Sequence, residues 1–343
     1  MDWMRSMNAR VTVLIPTFNR EEWLAKSIES VLAQTYRDYC VLVCDNHSED
    51  GTESTVTAFG DDRILYEKRP ENIGMLGNHI EAMRSVQTEY FTILGDDNLA
   101  DPEHLEISVD LLDRDDTIGM VHSAYDIIDD DGITRQEHAS MAGRDVKPFE
   151  TGEEFVLKSL RARIRACEAT TVFRTRAVRE AGYYDTEDTP LHDVGLFLRI
   201  GAAWNVAYVD RPLVRFRIHG DALGLQAVRS SRDALTDPDG FPNRNLAVKT
   251  RFIRSHAPDR RTARRWASIA RASRRRIMLE WVGAITRPAR PRRQTVELLR
   301  AAAAVDPRVY LEPRAWGLLA MSVGGRRFAA LASDLRRRAG AEG

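Results

Sequence analysis

The stretch Tyr90-Phe-Thr-Ile-Leu-Gly-Asp96-Asp97-Asn98 decides the fold class, because an apolar run of strand length ends there in two adjacent carboxylates. Short apolar runs are typical of strands buried in a parallel sheet, and ligands of open α/β sheets bind beyond the ends of such strands. Adjacent carboxylates repel each other unless a cation or hydrogen-bond donors compensate, so the pair predicts a divalent metal that carries a phosphate ligand. The alternative interpretation is an acidic turn that caps a helix beginning near Glu103.

Strands and helices alternate along this part of the chain. The predicted strands are residues 11–15, 39–44 and 64–67 and the apolar run that begins at Tyr90. The predicted helices are residues 22–34, a segment that opens at Thr52, residues 75–86 and residues 103–112. This alternation with short connections demands parallel pairing and right-handed crossovers, so the predicted fold class is α/β with a mostly parallel sheet flanked by helices.

Polar segments follow the carboxyl ends of four predicted strands. They are residues 17–20, Asp45, residues 72–78 and the pair Asp96-Asp97. Because these ends meet at one rim of a parallel sheet, the segments predict a site of nucleotide size. The turn after the first strand lacks the glycine triplet of a dinucleotide-binding fold, and the chain has no Walker loop, which argues against ordinary NAD and P-loop ATP sites.

Length and composition indicate a soluble globular protein. A chain of 343 residues with 43% hydrophobic and 29% charged residues predicts one large domain with a smaller appendage. No apolar run reaches the roughly 18 to 20 residues of a membrane span, and the first ten residues lack the apolar core of a signal peptide. Cys40, Cys44 and Cys167 fit reduced thiols of a core, so we expect a cytoplasmic protein.

The charge is divided unevenly between two parts of the chain. Residues 246–343 contain 23 Lys and Arg against 7 Asp and Glu, whereas the rest contains 27 against 44. This division predicts a boundary near Asn245 and a basic appendage that meets a membrane surface, a nucleic acid or the acidic domain itself.

The basic part has a helical pattern, with predicted helices over residues 260–285, 294–304 and 314–337. In the first of these, six apolar residues recur at helical spacing: Trp266, Ile269, Ala270, Ile277, Trp281 and Val282. Such a helix can lie on an anionic bilayer at the inner face of a membrane. The favoured alternative is a helical subdomain whose apolar stripe packs on the catalytic domain or on a second copy of the chain. No nucleic-acid-binding motif is present.

Four motifs together resemble the family 2 glycosyltransferases with the GT-A fold. They are Val-Thr-Val-Leu-Ile-Pro-Thr-Phe-Asn-Arg from Val11, Asp-Asn-His-Ser-Glu-Asp-Gly-Thr from Asp45, Asn-Ile-Gly from Asn72, and Gly-Asp-Asp-Asn from Gly95. The resemblance covers roughly residues 11–220. It implies a UDP-, GDP- or dTDP-sugar donor, a Mn²⁺ or Mg²⁺ ion, and inversion at the anomeric carbon.

The resemblance, which ends near residue 220, and the composition of the remaining chain together predict a domain plan. Residues 1–220 form the catalytic domain, with a nucleotide-binding half at about residues 10–125 and an acceptor half at about residues 126–220. Residues 221–245 form a mobile loop or linker, and residues 246–343 form the basic helical C-terminal region.

Donor-binding roles are implied for eight residues: Pro16, Thr17, Asn19, Asp45, Asn72, Asn78, Asp96 and Asp97. The first three line the nucleoside pocket, and Asp45 accepts a hydrogen bond from the base. Asp97 ligates the metal, while Asp96 contacts the ribose or supports the metal shell. A hard divalent ion suits carboxylate and phosphate oxygens and neutralises the charge that grows on a departing diphosphate. The alternative for Asp45 is a solvated turn residue.

The second half supplies a candidate general base. Inversion by single displacement requires a carboxylate near the attacking hydroxyl. After a predicted strand at residues 169–173, the segment around His192-Asp193 resembles the acceptor-side motif of the family, in which Glu usually stands where this chain has His192. Asp193 matches the base. Asp193 also fits as the cap of a predicted helix over residues 194–203, and Asp185 and Asp188 are weaker alternatives for the base.

Two further predicted strands, residues 204–209 and 213–218, lead to His219. Many members of the family carry a histidine here that approaches the metal or diphosphate, which makes His219 a candidate metal contact; a surface or capping role is the alternative. Arg215 and Arg217 alternate with apolar neighbours and face either the diphosphate or water.

Two function classes compete. The first is a metal-dependent transferase of polysaccharide or glycoconjugate biosynthesis that acts on a carbohydrate, lipid-linked or small-molecule acceptor. The second is a non-catalytic nucleotide-sugar-binding or scaffolding relative that acts through its basic C-terminal region, which also fits peripheral membrane contact or a homodimer. Asp45, Asp96, Asp97 and Asp193 are all present, which favours catalysis. A sugar nucleotidyltransferase is disfavoured because no glycine-rich loop follows Ile15.

Overall fold

A computed structural model describes residues 9–137, 147–162, 166–218, 240–286 and 292–322. The backbone divides into two compact units, Met1–His219 and Gly220–Gly343. This division lies beside the predicted domain end at residue 220. The first helix of the second unit begins at Phe241, inside the predicted linker of residues 221–245.

The first unit alternates strands and helices. Its strands are β1 Val11–Thr17, β2 Tyr39–Asp45, β3 Ile64–Lys68, β4 Tyr90–Ile93, β5 Leu99–Ala100, β6 Ile118–Ile128, β7 Thr134–Gln136, β8 Phe149–Glu150, β9 Thr171–Arg174 and β10 Asn205–Arg217. Its α-helices are α1 Glu21–Leu32, α2 Thr52–Thr57, α3 Met75–Ser85, α4 His104–Arg114, α5 Gly152–Leu160, α6 Thr175–Ala181 and α7 His192–Gly201. Short 3-10 helices cover Glu168–Thr170 and Thr186–Asp188.

The described strands form one sheet in the order β3-β2-β1-β4-β9-β6-β10-β5, with β7 paired to β6 and β8 paired to β10. Strands β3, β2, β1 and β4 pair in parallel, as do β6 and β10. Strand β9 is antiparallel to both of its neighbours, β4 and β6. The prediction of an α/β fold with a mostly parallel sheet is confirmed.

Both faces of the central strands are covered by helices, because alternate residues of a strand point to opposite faces. Val13 of β1 packs in a cluster with Leu24 and Ile28 of α1, whereas its neighbour Leu14 packs in a second cluster with Met83 of α3. All seven residues of β1 are buried. This explains why the predicted strands appear as continuous apolar runs.

The prediction of two strands over residues 204–209 and 213–218 is wrong. One strand, β10, runs through the whole segment and pairs in parallel with β6. Its register shifts on both sides of Pro212, which has no N–H to donate to a neighbouring strand, so an irregularity replaces the predicted break. Strand β6 itself was not predicted.

The second unit is helical, with α8 Phe241–His256, α9 Arg260–Thr286, α10 Arg292–Val305, a 3-10 helix Pro307–Leu311 and α11 Pro313–Ser322. The apolar side of α9 packs within this unit: Met278 and Val282 join a cluster with Leu298 of α10 and Tyr310. Arg275 of α9 pairs with Glu312 at 3.2 Å. Part of the predicted apolar stripe is therefore covered by helices of its own unit, a partner that the sequence did not predict. Within the described part of the chain, no helix is long and apolar enough to cross a membrane.

Candidate active site

The carboxyl ends of β1, β2 and β4 lie side by side, as predicted. Thr17 at the end of β1 pairs with Asp45 at the end of β2, and Leu94 after β4 donates its N–H to Leu14 at 2.9 Å. The pair Asp96-Asp97 therefore follows a strand that borders β1 directly. The sheet therefore brings residues 17–20, Asp45 and the pair Asp96-Asp97 together at one rim.

Asp45 is fully buried at this rim. Its Oδ1 accepts hydrogen bonds from the N–H of Ser48 at 2.8 Å and from the Ser48 hydroxyl at 2.5 Å, and its Oδ2 accepts one from the Tyr66 hydroxyl. Burial and the nearby carboxylate raise the pKa of Tyr66 well above its usual value, so Tyr66 stays a donor. The alternative of a solvated turn residue is wrong for Asp45.

The loop after β1 is tied to the loop after β2 through Asn19. Its N–H donates to the Ser48 hydroxyl at 2.9 Å, and its side-chain oxygen accepts from the N–H of Glu49 at 2.9 Å. Asn19 has φ of 53°, a left-handed conformation that Asn tolerates better than most residues. Pro16 and Thr17 are buried, whereas Asn19 is exposed at the surface of the rim.

The loop after β3 places its two asparagines differently. Asn72 is exposed, and its side-chain oxygen accepts hydrogen bonds from Asn46 at 2.7 Å and from the N–H of Gly74 at 2.9 Å. Asn78 is buried, and its carboxamide donates to the Cys44 carbonyl at 2.7 Å and accepts from Arg69 at 3.1 Å. The Asn78 side chain therefore fastens α3 to the end of β2.

The pair Asp96-Asp97 does not cap a helix, so the alternative of a capping turn is wrong. Helix α4 begins at His104, and its N-cap residue Glu103 makes no side-chain capping bond. Burial and the charge of Asp97 raise the pKa of Asp96 to about 7, although Thr17, Arg20 and the Phe18 N–H act in the opposite direction. Two carboxylates held this close in a half-buried turn suit a cation.

Arg217 stabilises the turn that contains Asp96 and Asp97 through hydrogen bonds. Its Nε donates to the Asp97 carbonyl at 2.9 Å, and its Nη1 donates to the Asp129 and Asp130 carbonyls at 2.5 and 2.9 Å. Its own N–H donates to the Asn98 side chain at 2.9 Å. The prediction that Arg217 faces the diphosphate or water is wrong, because Arg217 is buried and its Nε and Nη1 atoms donate to main-chain carbonyls. Arg215 is exposed.

Asp193 is the second residue of α7, which begins two residues earlier than predicted. The residue at its N-cap is Leu191, so Asp193 does not fill that position; its Oδ1 accepts the N–H of Val194 at 2.7 Å. Burial raises the pKa of Asp193, His192 acts in the opposite direction, and the charge of Glu168 adds to the rise; together these effects place the pKa at about 6.

The two weaker candidates for the base have local partners. Asp188 is buried and pairs with Arg199 at 3.2 Å. Asp185 caps the following 3-10 helix by accepting the N–H of Glu187 at 2.9 Å. These contacts assign structural roles to both residues. His219, the candidate metal contact, lies outside the described residues.

Three polar residues that the sequence did not predict as part of the site lie beside Asp193. Glu168 precedes β9, Tyr184 follows α6, and His79 lies on α3. The Tyr184 hydroxyl donates to Glu168 Oε2, and His79 Nε2 lies 3.7 Å from Glu168 Oε1. Their distances in the sequence follow no period, so only the fold brings them together.

The family model described as glycosyl transferase family 2 matches residues 12–182, which include all eight predicted donor-binding residues. The chain belongs to glycosyl transferase family 2. An uncharacterised glycosyltransferase of Rickettsia typhi is 25% identical over 215 residues, an alignment that covers 61% of this chain and 64% of that relative. The chain therefore spans less than two thirds of the length of that relative.

Two solved structures share the fold of this family member. S. aureus TarS 1–349 in complex with UDP-GlcNAc gives a TM-score of 0.62 at 12% identity, covering 88% of this chain and 83% of that chain. The mannosyltransferase PcManGT from Pyrobaculum calidifontis, in complex with GDP-Man and Mn²⁺, gives 0.57 at 18% identity, covering 95% and 84%. The predicted GT-A fold and the resemblance to family 2 are confirmed.

Proposed function

We propose that the chain transfers a sugar from a nucleotide-diphosphate sugar to an acceptor hydroxyl with inversion at the anomeric carbon. The observation that carries this proposal is the carboxylate pair Asp96-Asp97, which follows β4 at the rim shared with Asp45. Its membership of family 2 gives independent support, and relatives of this fold bind UDP-GlcNAc in TarS and GDP-Man in PcManGT. UDP- and GDP-sugars are therefore the first donors to test.

The rim suits a divalent cation whose coordination shell is completed by the phosphates of the donor. Among the described residues, no group of three or more His, Cys, Asp and Glu side chains can hold a metal alone. Mg²⁺ and related ions are, however, often bound by one or two carboxylates together with substrate phosphates. We assign Asp97 as the ligand and Asp96 as its support or as a ribose contact, with His219 as a further candidate. When bound, the ion neutralises charge on the departing diphosphate.

Asp193 is the proposed general base. The oxygen of the acceptor hydroxyl attacks the anomeric carbon, while the bond from that carbon to the diphosphate oxygen breaks and its electron pair leaves with the nucleoside diphosphate. The hydroxyl proton moves to Asp193. A base of pKa about 6 is ionised at neutral pH and still accepts a proton readily, which suits this step.

The nucleoside half of the donor is assigned to the loops after β1 and β2, with Asn19 and Asn72 at their surface. Asp45 is proposed to accept a hydrogen bond from the nucleobase of the donor. A carboxylate oxygen has two lone pairs, so Asp45 Oδ2 can accept one bond beyond that of Tyr66. Because Asp45 is fully buried, a nucleobase can reach it only if the surrounding side chains move.

The second unit is assigned the basic helical region of the domain plan. The competing proposal of a non-catalytic relative predicts donor binding without turnover, which separates it cleanly from a transferase.

Hydrolysis of a donor panel tests the proposal, because water replaces an acceptor that has not been identified. The purified chain is incubated with UDP-Glc, UDP-GlcNAc and GDP-Man, with Mn²⁺ or with EDTA, and released nucleoside diphosphate is measured. We expect release from at least one donor, only with metal, and a loss of about 100-fold or more in Asp193→Asn. Asp185→Asn is the matched control and should retain the rate. Equal rates in the wild type and Asp193→Asn would remove Asp193 from the mechanism, and binding without release would favour the non-catalytic relative.

A further inference from the structure

Glu168 lies at the same rim as the carboxylate pair, although it comes from the other half of the domain. Strand β9 runs antiparallel to β4, with Tyr90 opposite Arg174 and Thr92 opposite Val172. The residues just before β9 therefore lie beyond the end of β4 from which Asp96 follows. The chain places a third acidic side chain there.

Among the described residues, a hydrogen-bond donor contacts only one of the two oxygens of the Glu168 carboxylate. Its Oε2 accepts the Tyr184 hydroxyl, and that tyrosine is buried. Its Oε1 lies 3.7 Å from His79 Nε2, which is too long for a hydrogen bond. Within the described ranges, no donor is within hydrogen-bond distance of Oε1. The Glu168 side chain is 25% exposed, so the carboxylate is accessible from solvent.

The hydrogen bonds of His79 fix its tautomer. Its Nδ1 lies 2.8 Å from the Met75 carbonyl, an oxygen that can only accept, so Nδ1 carries the proton. In the neutral ring, Nε2 therefore turns a lone pair towards Glu168 Oε1. In that neutral form, the two acceptor atoms lie 3.7 Å apart with no proton between them. A protonated ring or a donor group from a ligand would satisfy both.

This pair adjoins the proposed base. The charges of Glu168 and Asp193 both act on the Tyr184 hydroxyl and on the Cys167 thiol, and both raise the pKa values of these groups. The His192 ring, one residue before the base, packs edge-on against Tyr184 with ring centroids 4.6 Å apart. The two carboxylates therefore belong to one cluster.

We propose that Glu168 and His79 form an acceptor subsite that binds a hydroxyl group next to the one that attacks. This inference rests on the proposed function, because it uses Asp193 as the base. The ligand class is a vicinal diol, such as a sugar ring. One hydroxyl gives its proton to Asp193 as it attacks, and its neighbour donates a hydrogen bond to Glu168 Oε1 beside His79. Glu168 and His79 bind and orient the acceptor and take no part in the bond that breaks.

Acceptor competition tests the subsite. Donor turnover is measured with methyl glucoside, methyl galactoside and methyl mannoside as diol probes and with ethanol as a monohydric probe. Glu168→Gln keeps the shape of the side chain and an oxygen for Tyr184. We expect it to raise the KM for the effective glycoside about tenfold or more, the usual weight of a hydrogen bond to a charged group. Donor affinity by calorimetry should stay unchanged, and His79→Phe should act in the same direction. Glu180→Gln, an acidic side chain bound to Arg176 and Trp204, is the control.

A second readout needs no acceptor. Removal of the Glu168 charge lowers the pKa of Asp193, so the acidic limb of donor hydrolysis should move to lower pH in Glu168→Gln. A variant with wild-type donor affinity and an unmoved limb would overturn the subsite, as would a wild-type KM for the glycosides. If the wild type itself neither binds nor hydrolyses any donor, the proposed function fails instead.

Discussion

Replacing Arg217 by methionine should loosen the Asp96-Asp97 turn. Methionine fills most of the aliphatic volume of arginine, so the change removes chiefly the guanidinium group. That group donates to three main-chain carbonyls at 2.5 to 2.9 Å and lies over the Trp23 ring, 5.7 Å from its centroid. Arg217 is only 2% exposed, so water cannot readily reach these carbonyls and replace the lost hydrogen bonds.

The size of the effect follows from those contacts. A hydrogen bond to a charged group contributes about 1.5 to 3 kcal/mol, and such contributions within one cluster are not additive. We therefore expect Arg217→Met to lower the free energy of unfolding by about 3 to 5 kcal/mol. Because one of the lost bonds holds the Asp97 carbonyl, donor affinity in the presence of Mn²⁺ should fall as well.

Urea unfolding followed by circular dichroism measures the first effect, and calorimetric titration with the active donor measures the second. Arg215→Met is the matched control, since Arg215 is an exposed arginine on the same strand and should change the free energy of unfolding by less than about 0.5 kcal/mol. A loss below about 1 kcal/mol in Arg217→Met, with unchanged donor affinity, would refute the role of Arg217 as the support of the turn.

Three further predictions concern single groups at the rim. The rate of donor hydrolysis should fall below pH about 6, because Asp193 must be ionised to accept a proton and its pKa is raised to about 6; a pH profile whose acidic limb lies near 4 would contradict this. Gly95→Ala should weaken metal-dependent donor binding and lower thermal stability, because the added methyl group would stand 2.8 Å from Asp97 Oδ1 and 2.6 Å from Asn98 Nδ2, and Asn98 is buried and accepts the Arg217 N–H; calorimetry and a melting curve check the two parts. Tyr66→Phe should lower the free energy of unfolding by about 1 to 3 kcal/mol, because Asp45 Oδ2 loses its donor, and should tighten binding of the nucleoside diphosphate, which can supply one; weaker binding would count against contact between Asp45 and the base.

The donor side of the fold could be predicted from sequence because local signals determine it. Strands β1, β2 and β4 are buried on both faces, so they appear as short apolar runs, and each is followed by a polar turn. Once the order of strands and helices is recognised, parallel pairing places the polar turns together without any side-chain information.

The acceptor side could not be predicted in the same way. Strand β9 enters the sheet between β4 and β6 and reverses direction, which no local pattern signals. Its insertion is what carries Glu168 to the rim. The bulge around Pro212 hid the continuity of β10, since a proline between two apolar runs has the same appearance as a turn.

Individual side chains at the predicted site also required the structure. Arg217 alternates with apolar neighbours, as a surface residue of a strand does. It is nevertheless buried, and it donates to main-chain carbonyls of two loops that are distant in the sequence. Asn78 belongs to the predicted donor loop, but its carboxamide is used by Cys44 and Arg69. A polar residue near a site binds the ligand or supports the backbone, and its sequence pattern does not distinguish the two.

Calorimetric titration of UDP and GDP, with and without Mn²⁺, tests the central claim most directly. The claim is that Asp97 and a divalent ion together bind the diphosphate of the donor. We expect one nucleotide to bind the wild type with Mn²⁺, to bind much more weakly in EDTA, and to lose the benefit of Mn²⁺ in Asp97→Asn. Binding that is equally strong with and without the metal, or an Asp97→Asn variant that responds to Mn²⁺ as the wild type does, would contradict the account.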